Sequence, residues 1–110
     1  MADSDELLAH FIDESHCDEV GLWYIVRLVR SELNIDEPAE IRRVTLEFVR
    51  KLLKSGEVEA ASYDSVASYR SWSLPIEGVV ERISREWDEL GREPTIADIV
   101  VFVGKDAVDR

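Results

Sequence analysis

Cysteine, glycine and proline are scarce in this sequence of 110 residues, which holds one Cys, five Gly and three Pro. The single cysteine, Cys17, excludes a disulfide within the chain and any CxxC metal or redox motif. The glycines and prolines are spread along the chain, so we find no flexible or proline-rich linker. We therefore expect one domain over residues 1–110, and the cysteine usage favours the cytoplasm.

Long apolar runs are also missing. The longest are Leu22–Val26 and Ile99–Val103, and both are far shorter than the roughly 20 residues that cross a bilayer. Residues 1–6 lack the basic and apolar segments of a secretory signal. We expect no membrane span and no export.

Basic residues are few: 13 Lys and Arg stand against 24 Asp and Glu, and the formal charge is −11. This balance disfavours a general binder of polyanions. The 45% of apolar residues are enough for a folded core. A chain of this size buries roughly two-thirds of its unfolded surface, so a binding surface is more natural than a deep pocket.

Apolar residues at helical spacing predict four helices. The second has apolar residues over most of its circumference, which is typical of a buried central helix. The fourth has the clearest apolar stripe. The predicted helices are residues 4–14 with Ser4 as the cap, residues 18–33, Pro38 to Ser55 with a stop at Gly56, and a last helix opened by Ser73 and Pro75 and closed by Gly91.

After Gly56 the apolar period changes to two, which predicts a short strand over residues 58–61. A second strand is predicted to return through residues 66–72, and the β-branched run Ile99–Val103 predicts a third. The fold class is therefore α+β: a helix-rich single domain with three helices, a small antiparallel hairpin, an amphipathic helix and a short C-terminal strand. We divide it into an acidic helix (1–17), a core (18–72) and a C-terminal segment (73–110).

The helix-to-strand segment Phe48–Ala60 resembles the recognition helix and first wing strand of winged-helix proteins, and the resemblance covers about residues 18–72. It implies a helix that enters the major groove with basic side chains on phosphates. These would be Arg43, Arg50, Lys51 and Lys54.

Two departures disfavour DNA binding. Glu47 lies within the basic stripe, and the predicted wing carries Glu57, Glu59 and Asp64 where phosphate contacts favour Lys or Arg. Ion pairs on an ordinary solvated helix face are the alternative.

Residues 1–20 contain seven acidic side chains and no Lys or Arg. A concentrated anionic surface steers a basic partner toward it, as an inhibitor of a basic toxin or nuclease requires. The alternative is an acidic helix that only confers solubility. The candidate partner-binding residues are Asp13, Glu14, Asp18 and Glu19.

A second resemblance lies in Ile83–Phe102, with Glu86-Trp87, Leu90-Gly91-Arg92, Pro94 and Asp98-Ile99. This segment is similar to the C-terminal pattern of small uncharacterised bacterial proteins. The resemblance implies a bacterial origin and carries no functional residues across. An immunity role is our extrapolation from size and charge.

Metal and catalytic chemistry have little support. His10, His16 and Cys17 form the one group with metal-ligand types, and no three of them are predicted to converge. No nucleotide-binding, zinc-protease or hydrolase motif is present. We predict no metal, no cofactor and no enzyme activity.

The aromatic residues complete the candidates. Trp23 and Trp87 lie on apolar stripes and are predicted in the core. Tyr69 and Trp72 lie in a polar hairpin arm and are candidate interface anchors. For Trp72, burial under the fourth helix is the favoured alternative.

Three function classes follow. The first is a non-catalytic acidic module of the bacterial cytoplasm that binds a basic protein. The second is a winged-helix regulator that binds DNA. The third is a homodimeric structural protein whose second or fourth helix pairs with its own copy.

Overall fold

The computed structural model of the protein describes residues 3–65, 68–96 and 98–109. Within them the chain is a helix-rich α+β domain, which confirms the predicted fold class. None of the described helices combines the length and apolar character needed to cross a membrane. The elements are α1 (Ser4–Cys17), β1 (Val20–Gly21), α2 (Leu22–Glu32), α3 (Pro38–Lys54), β2 (Val58–Ser65), β3 (Ser68–Ser71), α4 (Ile76–Leu90), β4 (Val101–Gly104), a short 3₁₀ helix (Lys105–Ala107) and β5 (Val108–Asp109).

The strands form one sheet in the order β1-β4-β2-β3-β5. The β3–β5 pair is parallel and the other three pairs are antiparallel. Phe102 lies opposite both Val20 and Ala60, so β4 has a paired strand on each side at this residue. Its side chain is fully buried. Strand β4 therefore holds β1 and β2 together.

The helices pack on one face of this sheet and enclose the main core. A small second cluster of Ala61, Val101 and Val103 is buried with the half-buried Tyr69 packed against it. Side chains alternate between the two faces of a strand, and Phe102 accordingly belongs to the main core while its neighbours belong to the second cluster. Residues that are fully buried in the main core are Phe11, Leu22, Ile25, Val29, Val49, Leu52, Ile83 and Phe102.

The first helix differs from the prediction at both ends. Asp3, and not Ser4, caps it, because the Asp3 carboxylate accepts a hydrogen bond from the Glu6 backbone N–H at 2.8 Å. The helix continues to Cys17 instead of ending near residue 14. Its buried residues Leu7, Phe11 and Ser15 recur every four residues, so the extra turn remains packed against the core.

The second helix is shorter than predicted. Val20 and Gly21 form β1 against Phe102 and Val101, and the Leu22 N–H donates to the Val100 carbonyl at 3.2 Å. The predicted helix over residues 18–33 is therefore wrong in its first turn. Apolar periodicity favours a helix there, and pairing with β4, about 80 residues away in the chain, overrides that local preference.

The third and fourth helices follow the prediction closely. Pro38 begins α3, and the Glu37 carboxylate accepts hydrogen bonds from Ala39 and Glu40 N–H groups. The fourth helix ends at Gly91, which has a φ of 69°, a left-handed conformation that glycine adopts without strain. Ser73 does not cap α4, since Pro75 occupies the cap position.

The hairpin joins two strands as predicted, but β2 runs to Ser65, four residues beyond its predicted end. Within the predicted second strand, residues 68–71 are strand rather than loop. Val66 lies outside the described residues. Ile99 has a φ of 67°, so the predicted third strand begins only at Val101. Because β4 lies between β1 and β2, residues 18–72 are not a separate core.

Candidate functional site

The predicted acidic residues lie along α1 and the turn that follows it. Asp13 and Glu14 are exposed on the helix, and Asp18 is exposed at its C-terminal cap. The Asp18 carboxylate accepts a hydrogen bond from the Glu19 N–H at 2.8 Å. This contact lies in the turn between α1 and β1.

Glu19 joins the acidic segment to the hairpin. Its Oε1 atom accepts a hydrogen bond from the Tyr69 hydroxyl at 3.0 Å, and its Oε2 atom accepts one from the Tyr63 hydroxyl. We call Glu19, Tyr63 and Tyr69 the tyrosine cluster. It unites an acidic candidate with an aromatic candidate that the sequence places far away.

The hairpin register builds the aromatic side of this cluster. Tyr63 on β2 lies directly opposite Tyr69 on β3, and directly opposite residues have side chains on the same face of a sheet. Their ring centroids are 5.5 Å apart with an interplanar angle of 35°. Tyr63 is 49% exposed, while Tyr69 is half-buried against the second cluster.

Burial raises the pKa of both tyrosines, and the hydrogen bonds to Glu19 raise each pKa further. Both hydroxyls are therefore protonated at neutral pH and act as donors. The Glu19 carboxylate accepts from both hydroxyls, so the tyrosine cluster places a carboxylate beside an exposed aromatic ring. Such a surface is suited to a cation that also has apolar area.

Sequence reasoning missed Tyr63, because it ended the first strand at residue 61 and began the second at residue 66, with Tyr63 in the turn between them. A usable signal was present: Glu59, Ala61 and Tyr63 continue the period of two that begins after Gly56. Extending the first strand by two residues places Tyr63 on the side of Glu59.

Trp72 lies in the core, as the favoured alternative predicted. Its candidacy as an exposed interface anchor is therefore wrong. It is buried in the main core, and its indole N–H donates to Ser62 Oγ at 2.7 Å. The Arg82 guanidinium lies over the ring, 3.8 Å from its centroid. Helix α4 thus covers this tryptophan, and no exposed ring is left to anchor a partner.

Two members of the predicted basic stripe are held in ion pairs. Arg43 Nε lies 2.6 Å from Glu40 Oε1. Arg50 contacts Glu47 at 2.9 Å and Glu77 of α4 at 2.9 Å. The contact with Arg50 lowers the pKa of the Glu77 carboxyl. Arg50 therefore links α3 to α4.

Lys51 and Lys54 are exposed on the same helix. Phosphate binding needs several cations acting together. With two of the four predicted cations paired to carboxylates, the geometry favours the ion-pair interpretation of this stripe.

The histidines of the N-terminal helix serve separate contacts. His10 Nε2 lies 2.8 Å from the Tyr24 hydroxyl, whereas His16 Nε2 lies 3.0 Å from Glu57 Oε1 at the start of the sheet. Cys17 is exposed. Across the part of the chain that the structure describes, no group of three or more His, Cys, Asp or Glu side chains could hold a metal ion.

Comparisons with known proteins add no family to this description. No family model, no curated protein and no solved structure matches the chain. The resemblances to winged-helix proteins and to small bacterial proteins therefore stay predictions from the sequence.

Proposed function

We propose that this protein is a non-catalytic binding module for a basic protein, with the acidic side of α1 and the tyrosine cluster as its binding surface. The partner class we favour is a basic toxin or nuclease of the bacterial cytoplasm, for which the chain would act as an immunity or inhibitor protein.

The observation that carries this proposal is the contact of Glu19 with Tyr69 and Tyr63. Charge alone gives steering and fast association, but affinity is concentrated in a few buried aromatic or arginine anchors. The tyrosine cluster places an exposed aromatic ring at the end of the acidic helix. Both requirements of a tight interface are thus met on one surface.

The protonation of the tyrosines supports binding over catalysis. A general base must accept a proton near neutral pH, and the pKa of Tyr63 and Tyr69 is shifted upward, away from that range. As donors to a fixed carboxylate, their hydroxyls hold the rings in position for contact.

The other two classes have less support. A DNA-binding regulator would need the basic stripe free, and Arg43 and Arg50 are engaged with carboxylates. A homodimer through α2 or α4 would need an exposed apolar face. Most of the apolar stripe of each helix, including Ile25 of α2 and Ile83 of α4, is buried within the chain. Trp23 of α2, which was predicted in the core, is only partly buried.

The first experiment is affinity capture from a bacterial lysate with the full chain and two charge-reversal variants. The test variant is Asp13→Lys with Glu14→Lys. The matched control is Glu81→Lys with Glu89→Lys, because these side chains are also exposed and lie on α4. We expect the wild type and the control to recover the same basic protein, and the test variant to lose it.

Titration calorimetry with the recovered partner then tests the tyrosine cluster. Tyr63→Ala removes the ring, whereas Tyr63→Phe keeps the ring and removes the hydroxyl. We expect the alanine variant to lose at least about 2 kcal/mol of binding free energy, as an interface hot spot does, and the phenylalanine variant to lose less. Recovery of no basic partner, or equal recovery by all variants, would refute the proposal.

A further inference from the structure

A cavity of about 430 Å³ lies between α1 and α2, away from the tyrosine cluster. Its volume falls within the range of about 300–1,000 Å³ that is common for ligand pockets. The residues that line it are Glu6, Leu7, His10, Tyr24, Leu28 and Glu32.

The cavity has an apolar floor and an anionic rim. Leu7 is buried and Leu28 is half-buried in the floor. Glu6 is exposed and Glu32 is half-exposed at the rim. Neither carboxylate is in an ion pair within the described ranges 3–65, 68–96 and 98–109.

The aromatic wall of the cavity is fixed in place. Tyr24 donates to or accepts from His10 across 2.8 Å, and its ring also packs edge-on against Phe11 with centroids 6.0 Å apart. A held aromatic ring beside free carboxylates is a favourable surface for a planar cation, because a guanidinium stacks on rings and pairs with carboxylates.

The electrostatic surroundings are negative in sum. Burial raises the pKa of the Tyr24 hydroxyl, and the charges of Glu14 and Glu32 raise it further, while Arg27 lowers it. Two carboxylates, Glu14 and Glu32, thus act on this tyrosine against one guanidinium, and Glu6 adds a third carboxylate to the lining of the cavity. The net charge favours a cationic occupant.

We infer that this cavity receives an arginine side chain of the basic partner. The methylene stem would pack on Leu7 and Leu28, and the guanidinium would meet Glu6 and Glu32 beside the Tyr24 ring. The inference rests on the proposed function, since it names the side chain by which that partner is recognised.

The cavity and the tyrosine cluster are connected along α1. Glu6, His10, Glu14 and Cys17 follow one another at spacings of four, four and three residues, so they share one side of the helix. This row rises by roughly 17 Å at 1.5 Å per residue, and Asp18 and Glu19 follow it directly. A partner that lies along α1 can therefore contact both sites.

The test uses a short peptide in which arginine alternates with serine, and a control peptide with citrulline in place of arginine. Citrulline keeps the shape of the side chain and removes its charge. Both are titrated into the ¹⁵N-labelled full chain and followed by NMR. We expect only the arginine peptide to bind, with shifts at the amides of Leu7, His10 and Tyr24.

Two pairs of substitutions locate the binding. Glu6→Gln with Glu32→Gln neutralises the rim, and Glu81→Gln with Glu89→Gln removes the same charge from exposed positions on α4. We expect the rim variant to bind the arginine peptide about tenfold more weakly, which is about 1.4 kcal/mol. The α4 variant should bind it like the wild type.

Three results would overturn the inference: equal binding of the citrulline peptide, equal loss in both variants, or shifts confined to Tyr63 and Tyr69. Equal binding of a lysine peptide would overturn the choice of arginine.

These outcomes are separate from the lysate experiment. A basic partner that depends on Asp13 and Glu14 but not on Glu6 and Glu32 would refute the cavity and leave the proposed function standing. A basic partner that depends on Glu6 and Glu32 but not on Asp13 and Glu14 would keep the cavity and refute the assignment of the Asp13 and Glu14 surface.

Discussion

Glu19 and Tyr69 lie 50 residues apart in the chain, and the Tyr69 hydroxyl donates to Glu19 Oε1 across 3.0 Å. The contact joins the turn after the acidic helix to the second strand of the hairpin. It gives the acidic segment a fixed position on the folded domain.

The first prediction concerns tyrosine ionisation. We expect Tyr24, Tyr63 and Tyr69 all to titrate above the ordinary value of about 10 in the folded protein, because burial raises each pKa. The three protonated tyrosines should stabilise the fold fully below about pH 10. This stabilisation should be lost as the pH rises through the pKa values of the tyrosines in the folded protein. The absorbance of tyrosinate, measured with and without urea, checks this.

Glu19→Gln is the control for the titration. It removes the charged acceptor, so the pKa of Tyr63 and Tyr69 should fall toward the ordinary value while that of Tyr24 stays. An unchanged titration curve would show that burial alone sets these pKa values.

The second prediction concerns the close approach of Gly21 and Trp23. A Cβ atom on Gly21 would lie 2.5 Å from both Cδ1 and Nε1 of the Trp23 ring. The Gly21 backbone has a φ of −75°, which any residue adopts, so the cost of a side chain there is steric. We expect Gly21→Ala to destabilise the fold by about 1–3 kcal/mol in urea unfolding.

A double-mutant cycle tests the cause. If the ring is what blocks the new methyl group, Gly21→Ala should cost much less in a Trp23→Ala background. Additive effects of the two substitutions would contradict the steric explanation.

The third prediction concerns Thr45 on α3. Its side chain is fully buried, and its Oγ1 atom is the buried side-chain N or O atom without a hydrogen-bond partner in the described part of the chain. An unsatisfied buried hydroxyl costs about 1–3 kcal/mol. Thr45→Val keeps the shape and removes the hydroxyl, so it should raise the free energy of unfolding. Thr45→Ser, which keeps the hydroxyl and removes a methyl group, should lower it.

Local patterns explain which parts of this fold are predictable from sequence. The apolar stripe of α4 and the stop at Gly91 depend on neighbours a few residues away, and both were predicted. The strand Val20–Gly21 depends on pairing with Phe102 and Val101, so no local signal separates it from the helix that follows. Whether these two residues form a strand or a helical turn is decided by long-range strand pairing, which apolar periodicity does not report.

The candidate site also has features that local sequence predicts and features that depend on long-range contacts. The charge of Glu19 and the polar setting of Tyr69 were visible in the sequence, but their meeting requires the register of the hairpin and the position of β1 in the sheet. For Trp72 the polar neighbours left exposure open, and burial under the fourth helix was the favoured alternative. The structure confirms that alternative, because Trp72 is buried in the main core with Arg82 of α4 over its ring.

The last prediction tests DNA binding directly. Arg50 contacts both Glu47 and Glu77, and the formal charge of the chain is −11, so we expect no binding to mixed-sequence duplex DNA even at about 50 mM salt. Fluorescence anisotropy measures this binding.

The variant Glu47→Gln with Glu77→Gln releases Arg50 and removes two negative charges. If this variant gains weak, salt-sensitive binding, the ion pairs of Arg50 suppress phosphate contact in the wild type. The contrary result would be micromolar binding by the wild type that is lost at about 200 mM salt. It would mean that Lys51, Lys54 and the paired arginines overcome the repulsion between the acidic chain and the DNA. The DNA-binding regulator would then replace the protein-binding module as the leading function.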